Sequence, residues 1–241
     1  MTARPPTILL TRPAPAAARF AALLAQGPAA ACPVLASPLM RIELLTPPAD
    51  QIAAARAADQ VIFSSENGVA GLAALMPSGG RRAWCVGDRT AQAARAAGYD
   101  AVAAQGDAPS LRALIGAAAP RGRLIHARGR HIVAPLADQL TAGGLPCDQI
   151  TVYDQAELPL SDAARDLLAG ADPVLVALFS PRSARLFAAA AGGARAPLWV
   201  AAISAAVGQA AAPLAPARLA IAARPDADAM AAAIADLIAH A

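Results

Sequence analysis

The sequence predicts an α/β protein with two parallel sheets, and three observations carry that prediction. Short apolar segments alternate with Ala-rich stretches of helical period along the chain, the pattern of buried strands covered by helices on both faces. Ten such segments occur, more than one ordinary open sheet in a chain of this length takes. The chain also repeats itself. Phe63-Ser64-Ser65-Glu66-Asn67-Gly68-Val69 is echoed by Phe179-Ser180-Pro181-Arg182-Ser183-Ala184-Arg185 at an offset of 116 residues, and Arg12 meets Arg128 at the same offset.

The expected strands are 8–11, 32–36, 60–64, 83–86, 100–103, 123–127, 147–152, 174–179, 198–203 and 219–222. Ile8-Leu9-Leu10 and Leu124-Ile125 each lead to an arginine, Arg12 or Arg128, and then to a helical pattern, Ala16 to Gln26 or Val133 to Ala142. These patterns stop at Gly27 and Gly143-Gly144, where glycine ends helices. Further on, Trp84-Cys85-Val86, then Gly87 and a helix to Gly98, match Trp199 to Ile221, with Ser204 in the place of Gly87. About five strands per repeat fit two flavodoxin-like units. Ser37 to Ala49, with Pro38, Pro47 and Pro48, and Gln149 to Pro159 carry no helical period and read as extended linkers.

Composition narrows the function classes. With 57% hydrophobic residues among 241 and a mean hydropathy of +0.45, the chain has ample material for a core, and disorder is excluded. Arg, Asp, Gln, Pro or Gly interrupts every Ala-rich run before it reaches membrane-spanning length, so no membrane partner is expected. Met1 to Pro6 leads straight into a strand with no secretory apolar core, so a cytoplasmic protein is expected. Cys32, Cys85 and Cys147 lie far apart, an odd number without metal-ligand spacing, and read as reduced thiols. All 20 basic residues are Arg, which excludes a Schiff-base lysine, a pyridoxal phosphate linkage and a P-loop lysine. The net charge is only +3 and the arginines are scattered, so no nucleic-acid partner is expected; acidic small molecules remain.

In open α/β sheets ligands bind beyond the carboxyl ends of the strands, and the polar residues fall there. Ser64, Ser65 and Asn67 close one strand and open one helix; Ser180 and Ser183 do so in the second repeat. Such residues either cap the helix or, with the free backbone N–H groups, cradle an anion. Thr90, after Val86-Gly87, is a third position of this kind. His126, His131 and His240 form no zinc pattern, and no Gly-x-Ser-x-Gly elbow or Gly-x-Gly-x-x-Gly fingerprint occurs, so neither metal nor cofactor is expected. His126 reads as a strand-end residue or a base. Tyr153, in the second linker, reads as a packing residue or a group within reach of a ligand in a cleft between the units.

The order Leu10-Thr11-Arg12-Pro13, Phe63-Ser64-Ser65-x-Asn67-Gly68-Val69, Val86-Gly87-x-x-Thr90-Ala91, Gly98, Arg128-Gly129, Val152-Tyr153 and Phe179-Ser180-Pro181-x-Ser183 resembles the uroporphyrinogen-III synthase family from residue 8 to about 238. The resemblance implies two flavodoxin-like domains joined by a two-stranded linker. The first would hold residues 1–36 and 158–241, the linker strands 37–49 and 148–157, and the inserted domain 50–147. The opening strand and helix of each repeat would then belong with the body of the other. It implies a cofactor-independent lyase that cyclises the linear tetrapyrrole hydroxymethylbilane with inversion of ring D and loss of water. Tyr153 would assist departure of the hydroxyl. Arg12, Ser64, Ser65, Asn67, Thr90, Arg128, Ser180, Ser183 and Ser204 would hold substrate carboxylates. A monomer, receiving its substrate in transient hand-over from hydroxymethylbilane synthase, is expected.

The family's second threonine position holds Val207 here, with Ser204 as a stand-in, and the resemblance gives His126 no role. A two-unit protein that only binds an anionic small molecule is the competing reading. A phosphosugar isomerase or transferase would need a base in the Ser-rich loops, for which Glu66 is the candidate.

Overall fold

The computed structural model describes residues 5–131 and 134–240. Met1 to Arg4, and Val133, the expected start of one helix, lie outside the described residues. The strands in chain order are β1 (Thr7–Leu10), β2 (Val34–Ala36), β3 (Met40–Leu44), β4 (Gln60–Phe63), β5 (Arg82–Cys85), β6 (Asp100–Ala103), β7 (Leu124–Gly129), β8 (Cys147–Glu157), β9 (Val174–Leu178), β10 (Leu198–Ala202) and β11 (Arg218–Ile221). The helices are α1 (Ala14–Leu24), α2 (Ala49–Ala57), α3 (Glu66–Leu75), α4 (Asp88–Ala96), α5 (Ala108–Ala118), α6 (Leu136–Ala142), α7 (Asp162–Ala169), α8 (Pro181–Ala190), α9 (Ala205–Ala210) and α10 (Ala227–Ala239).

Two compact units result, one from the residues up to Arg41 together with those from Glu157 onward, the other from Ile42–Ala156. In the first, five strands run in the order β11-β10-β9-β1-β2, each pairing parallel. Numbered within the unit this is the flavodoxin-like order 2-1-3-4-5. All five residues of β9, Val-Leu-Val-Ala-Leu, are buried, because helices cover both faces. Val174, Val176 and Val200 pack with Leu168, Phe187 and Val207 on one face. Ile8, Leu10 and Leu175 pack with Phe20, Leu24, Met230 and Ile234 on the other.

The second unit has six strands in the order β3-β8-β7-β4-β5-β6. Counted from β7, five of them repeat the same order in permuted form, with β3 added at the edge. Val61, Phe63, Ile125 and Ala127 face the helices α3 and α4. Ile62, Trp84 and Leu124 face α5 and α6 through Leu111, Ile115, Leu136 and Leu140. The opening strand of each repeat thus sits in the sheet built by the rest of the other: β1 lies beside β9, and β7 beside β4.

The ten expected strands are all present. In the expected linker segments, β3 and β8 are hydrogen-bonded neighbours at the edge of the second sheet. The prolines Pro38, Pro47 and Pro48 lie outside β3, where a missing N–H costs the ladder nothing. Tyr153 consequently lies in a sheet strand of the second unit. Among the described residues no helix is long and apolar enough to cross a membrane.

Candidate functional site

In the 2-1-3-4-5 order the chain switches direction between its first and third strands, and ligands of such sheets bind at that point. In the first unit the switch lies between β1 and β9, and Arg12 and Phe179-Ser180 follow those strands directly. The Arg12 guanidinium stacks 3.8 Å above the Phe179 ring, which packs edge-on to Phe20 at 4.9 Å. In the second unit the switch lies between β4 and β7, where Ser64-Ser65 meets His126 and Arg128. Sequence repetition and fold rule therefore bring Arg12 to Ser180 and Arg128 to Ser64, each within one unit.

The two serine loops are not equivalent. Ser65 is the N-cap of α3, its hydroxyl accepting from the Asn67 N–H at 3.1 Å. In the second repeat the helix begins one residue earlier relative to the phenylalanine, with Ser180 as N-cap. Ser180 Oγ accepts from the Ser183 N–H at 3.0 Å, and Ser183 Oγ accepts from the Ser180 N–H at 3.1 Å, a closed capping box. Ser183 is buried, and its hydroxyl also donates to the Ser180 carbonyl at 2.9 Å. Both hydroxyls serve the start of α8, whereas Ser64, ahead of its cap, stays exposed.

Thr90 and Val207 stand at the third position of α4 and of α9, and both are buried. A valine is accommodated because the position belongs to the core in each unit. Ser204 precedes the six-residue α9 and makes no side-chain cap bond. Glu66, the alternative base, pairs with Arg89 at 3.4 Å across the starts of α3 and α4.

Around β7 the structure joins Arg128 to residues that the sequence left without a role, His126, Gln149 and Asp138. His126 and Arg128 are two apart on one strand and so share a face. His126 Nε2 lies 2.9 Å from Ser64 Oγ. Arg128 Nε donates to Gln149 Oε1 at 2.6 Å and its Nη1 to the Gly129 carbonyl at 2.8 Å, while Gln149 Nε2 donates to Asp138 at 3.0 Å. Arg128, Arg130, Gln51 and Thr151 also line a pocket of about 350 Å³ with Thr46 and Pro47. The period-two rule was the signal that could have linked His126 to Arg128; its pairing with Ser64 is a contact across strands.

Tyr153, 7% exposed, lies on β8 where the β7 ladder is bulged between Arg128 and Gly129. A Cβ on Gly129 would come within 2.6 Å of Tyr153 Cζ and 2.9 Å of its hydroxyl oxygen. Only a glycine lets the phenol ring lie against the backbone there. Of the thiols, Cys32 and Cys85 are buried and Cys147 is half-buried. Burial pushes Cys85 up to about 12, and burial with Asp148 does the same for Cys147, so neither supplies a thiolate.

Burial, with a smaller contribution from Arg128, holds His126 down to about 4 against an ordinary value near 6.5. The unfolded chain therefore binds a proton that the folded one refuses. The His126 contribution to stability is complete above about pH 6.5 and falls as the pH drops toward 4, by about 3 kcal/mol for this one group. Urea unfolding across this window should show a shallower decline for His126→Leu than for the wild type. Parallel curves would mean that His126 is solvated and titrates normally.

The whole is a duplicated α/β protein with a donor-rich strand end in each of its two sheets. The chain belongs to the uroporphyrinogen-III synthase family: the family model described as uroporphyrinogen-III synthase HemD matches residues 22–232. No curated protein matches the sequence significantly. Among solved structures, the uroporphyrinogen-III synthetase of Helicobacter pylori 26695 is 15% identical with a TM-score of 0.67, over 96% of this chain and 99% of that one. A triple mutant of the uroporphyrinogen III synthase of the extremely thermophilic bacterium Thermus thermophilus is 16% identical with a TM-score of 0.58, over 98% of this chain and all of the other. These structures share the fold; the family model carries the membership.

Proposed function

We propose that this chain is a uroporphyrinogen-III synthase, converting hydroxymethylbilane to uroporphyrinogen III with loss of water and needing no cofactor. The observation that supports this most is the family match over residues 22–232, joined to donors gathered at the switch point of each sheet. The reaction asks for little chemical power. The hydroxymethyl C–O bond breaks with a proton delivered to the departing oxygen, leaving an azafulvene. Ring D then attacks through its substituted carbon, and a spiro intermediate rearranges to the inverted product. Unaided, the bilane closes without inversion, so the protein's task is to hold the chain in the less accessible geometry.

Tyr153 is the proposed donor to the departing hydroxyl. Ser64, Ser65, Asn67 and the first N–H of α3 offer one set of donors to substrate carboxylates; Arg12, beside the α8 start that Ser180 caps, offers another. Arg128 is the proposed cationic partner in the second unit. Ser183 and Thr90 contribute by shaping the helix starts, and Ser204, whose hydroxyl makes no cap bond, is a further proposed donor to the substrate. The product feeds tetrapyrrole biosynthesis.

Freshly generated hydroxymethylbilane, incubated with the protein and resolved chromatographically after oxidation, should yield type III isomer above the spontaneous type I background. The yield should be unchanged by chelator and need no added nucleotide. Saturable product binding with no type III excess would leave an anion-binding protein, and loss of turnover on chelation would overturn the cofactor-free reading.

Because the ligand carries eight carboxylates, its apparent KM should rise with salt. Arg12→Ala and Arg128→Ala should each raise it further, by about tenfold for one charge-assisted contact. Folded variants with wild-type constants would assign both arginines to structure alone.

A further inference from the structure

We infer that His126 is a positioning residue: as its Nε2-protonated tautomer it donates to Ser64 Oγ, and this frees the Ser64 hydroxyl proton for an anionic group at the start of α3. The inference rests on the reading of that strand end as a carboxylate site.

The hydroxyl and the imidazole meet at 2.9 Å, and this bond can run in either direction. If Nε2 accepts, Ser64 spends its only proton inward and presents lone pairs to the solvent side, which repels a carboxylate. If Nε2 donates, the Ser64 proton points outward at the start of α3, where the Glu66 carboxylate is paired with Arg89. Ser65 already stands this way: its oxygen accepts from the Asn67 N–H, which leaves its own proton free to donate beside that of Ser64. The surroundings of the ring agree. His126 is 3% exposed between Ile62 on β4 and Gln149 on β8. The Gln149 amide is fixed by Arg128 on one side and Asp138 on the other. A base role, with His126 taking the Ser64 proton, would place an imidazolium in this buried site beside the Arg128 guanidinium, and both burial and that charge oppose it.

The arrangement is a feature of this chain's own residues. A leucine at position 126 would fill the same space between β4 and β8 but leave the Ser64 proton free to turn inward or outward. The loss would appear in binding the anion, with the chemical step untouched.

Long-range proton–nitrogen spectra of the full chain labelled at histidine should show, at neutral pH and without substrate, the His126 ring protonated at Nε2 and bare at Nδ1. The reverse tautomer overturns the proposal whatever the protein catalyses. In the bilane assay His126→Leu should raise apparent KM about tenfold with kcat nearly unchanged, and His126→Gln, whose side-chain amide can donate from a similar place, should restore most of it. In a Ser64→Ala background His126→Leu should add nothing. A folded His126→Leu with wild-type KM, or one whose loss persists without the Ser64 hydroxyl, overturns the proposal. A wild-type protein that makes no type III isomer defeats the functional reading, and the tautomer result then still decides the hydrogen bond.

Discussion

Tyr153→Phe is expected to slow type III formation by roughly two to four orders of magnitude, the range for lost acid assistance, while melting almost as the wild type does. The substitution removes one oxygen and keeps the ring that packs against Gly129. The residual rate should stay above zero, because the bilane loses its hydroxyl unaided and the rings are still oriented. Gly129→Ala separates position from chemistry. Its Cβ would have to displace a ring now 2.6 Å away, so it should lose activity with the phenol intact. Combined with Tyr153→Phe it should lose little more, since both changes act on one donor. A Tyr153→Phe protein that folds and turns over at the wild-type rate removes Tyr153 as the acid and leaves the Ser64 hydroxyl or a bound water.

The fold was legible because its signals are local. A buried parallel strand such as Val174–Leu178 is apolar at every position, and the Phe-Ser repeat at an offset of 116 residues marks equivalent strand ends before any pairing is known. The residues of the two expected linkers show only extended chain, and their two-stranded character came from the family resemblance, because edge pairing of β3 with β8 is a contact between segments about a hundred residues apart. The site was legible as a set of strand ends and not as a set of bonds. Ser64, Ser65, Ser180 and Ser183 look alike in sequence, yet the one-residue difference in where α3 and α8 begin commits three of them to capping and leaves Ser64 exposed. His126 escaped for the same reason: its meaning lies in a 2.9 Å contact to a residue on the neighbouring strand. Val207 runs the other way, since a lost hydroxyl at a buried position costs the fold nothing.

Gly71→Ala should lower stability by about 2 kcal/mol, a melting point some 4 to 8 °C lower, although an alanine in mid-helix is ordinarily the better residue by about 1 kcal/mol. The sign is decided by packing. α3 lies on β7 and β8 through two glycines, and a Cβ on Gly71 would sit 2.7 Å from Val152 Cγ2, 2.8 Å from its Cβ and 2.8 Å from its carbonyl oxygen. Overpacking of this kind costs about 3 kcal/mol, which exceeds the helix gain. Gly68→Ala should be at least as damaging, because its obstacle, the Ala127 carbonyl oxygen at 2.6 Å, is backbone and cannot be trimmed. Val152→Ala relieves the side-chain part of the clash facing Gly71, so the Gly71→Ala Val152→Ala double variant should be more stable than the two single losses added together, by about 1 kcal/mol or more. Strict additivity would show that α3 lifts off the sheet as a body. That motion would carry Ser65 and Asn67 away from Ser64, so the single variant should then also lose affinity for the bilane.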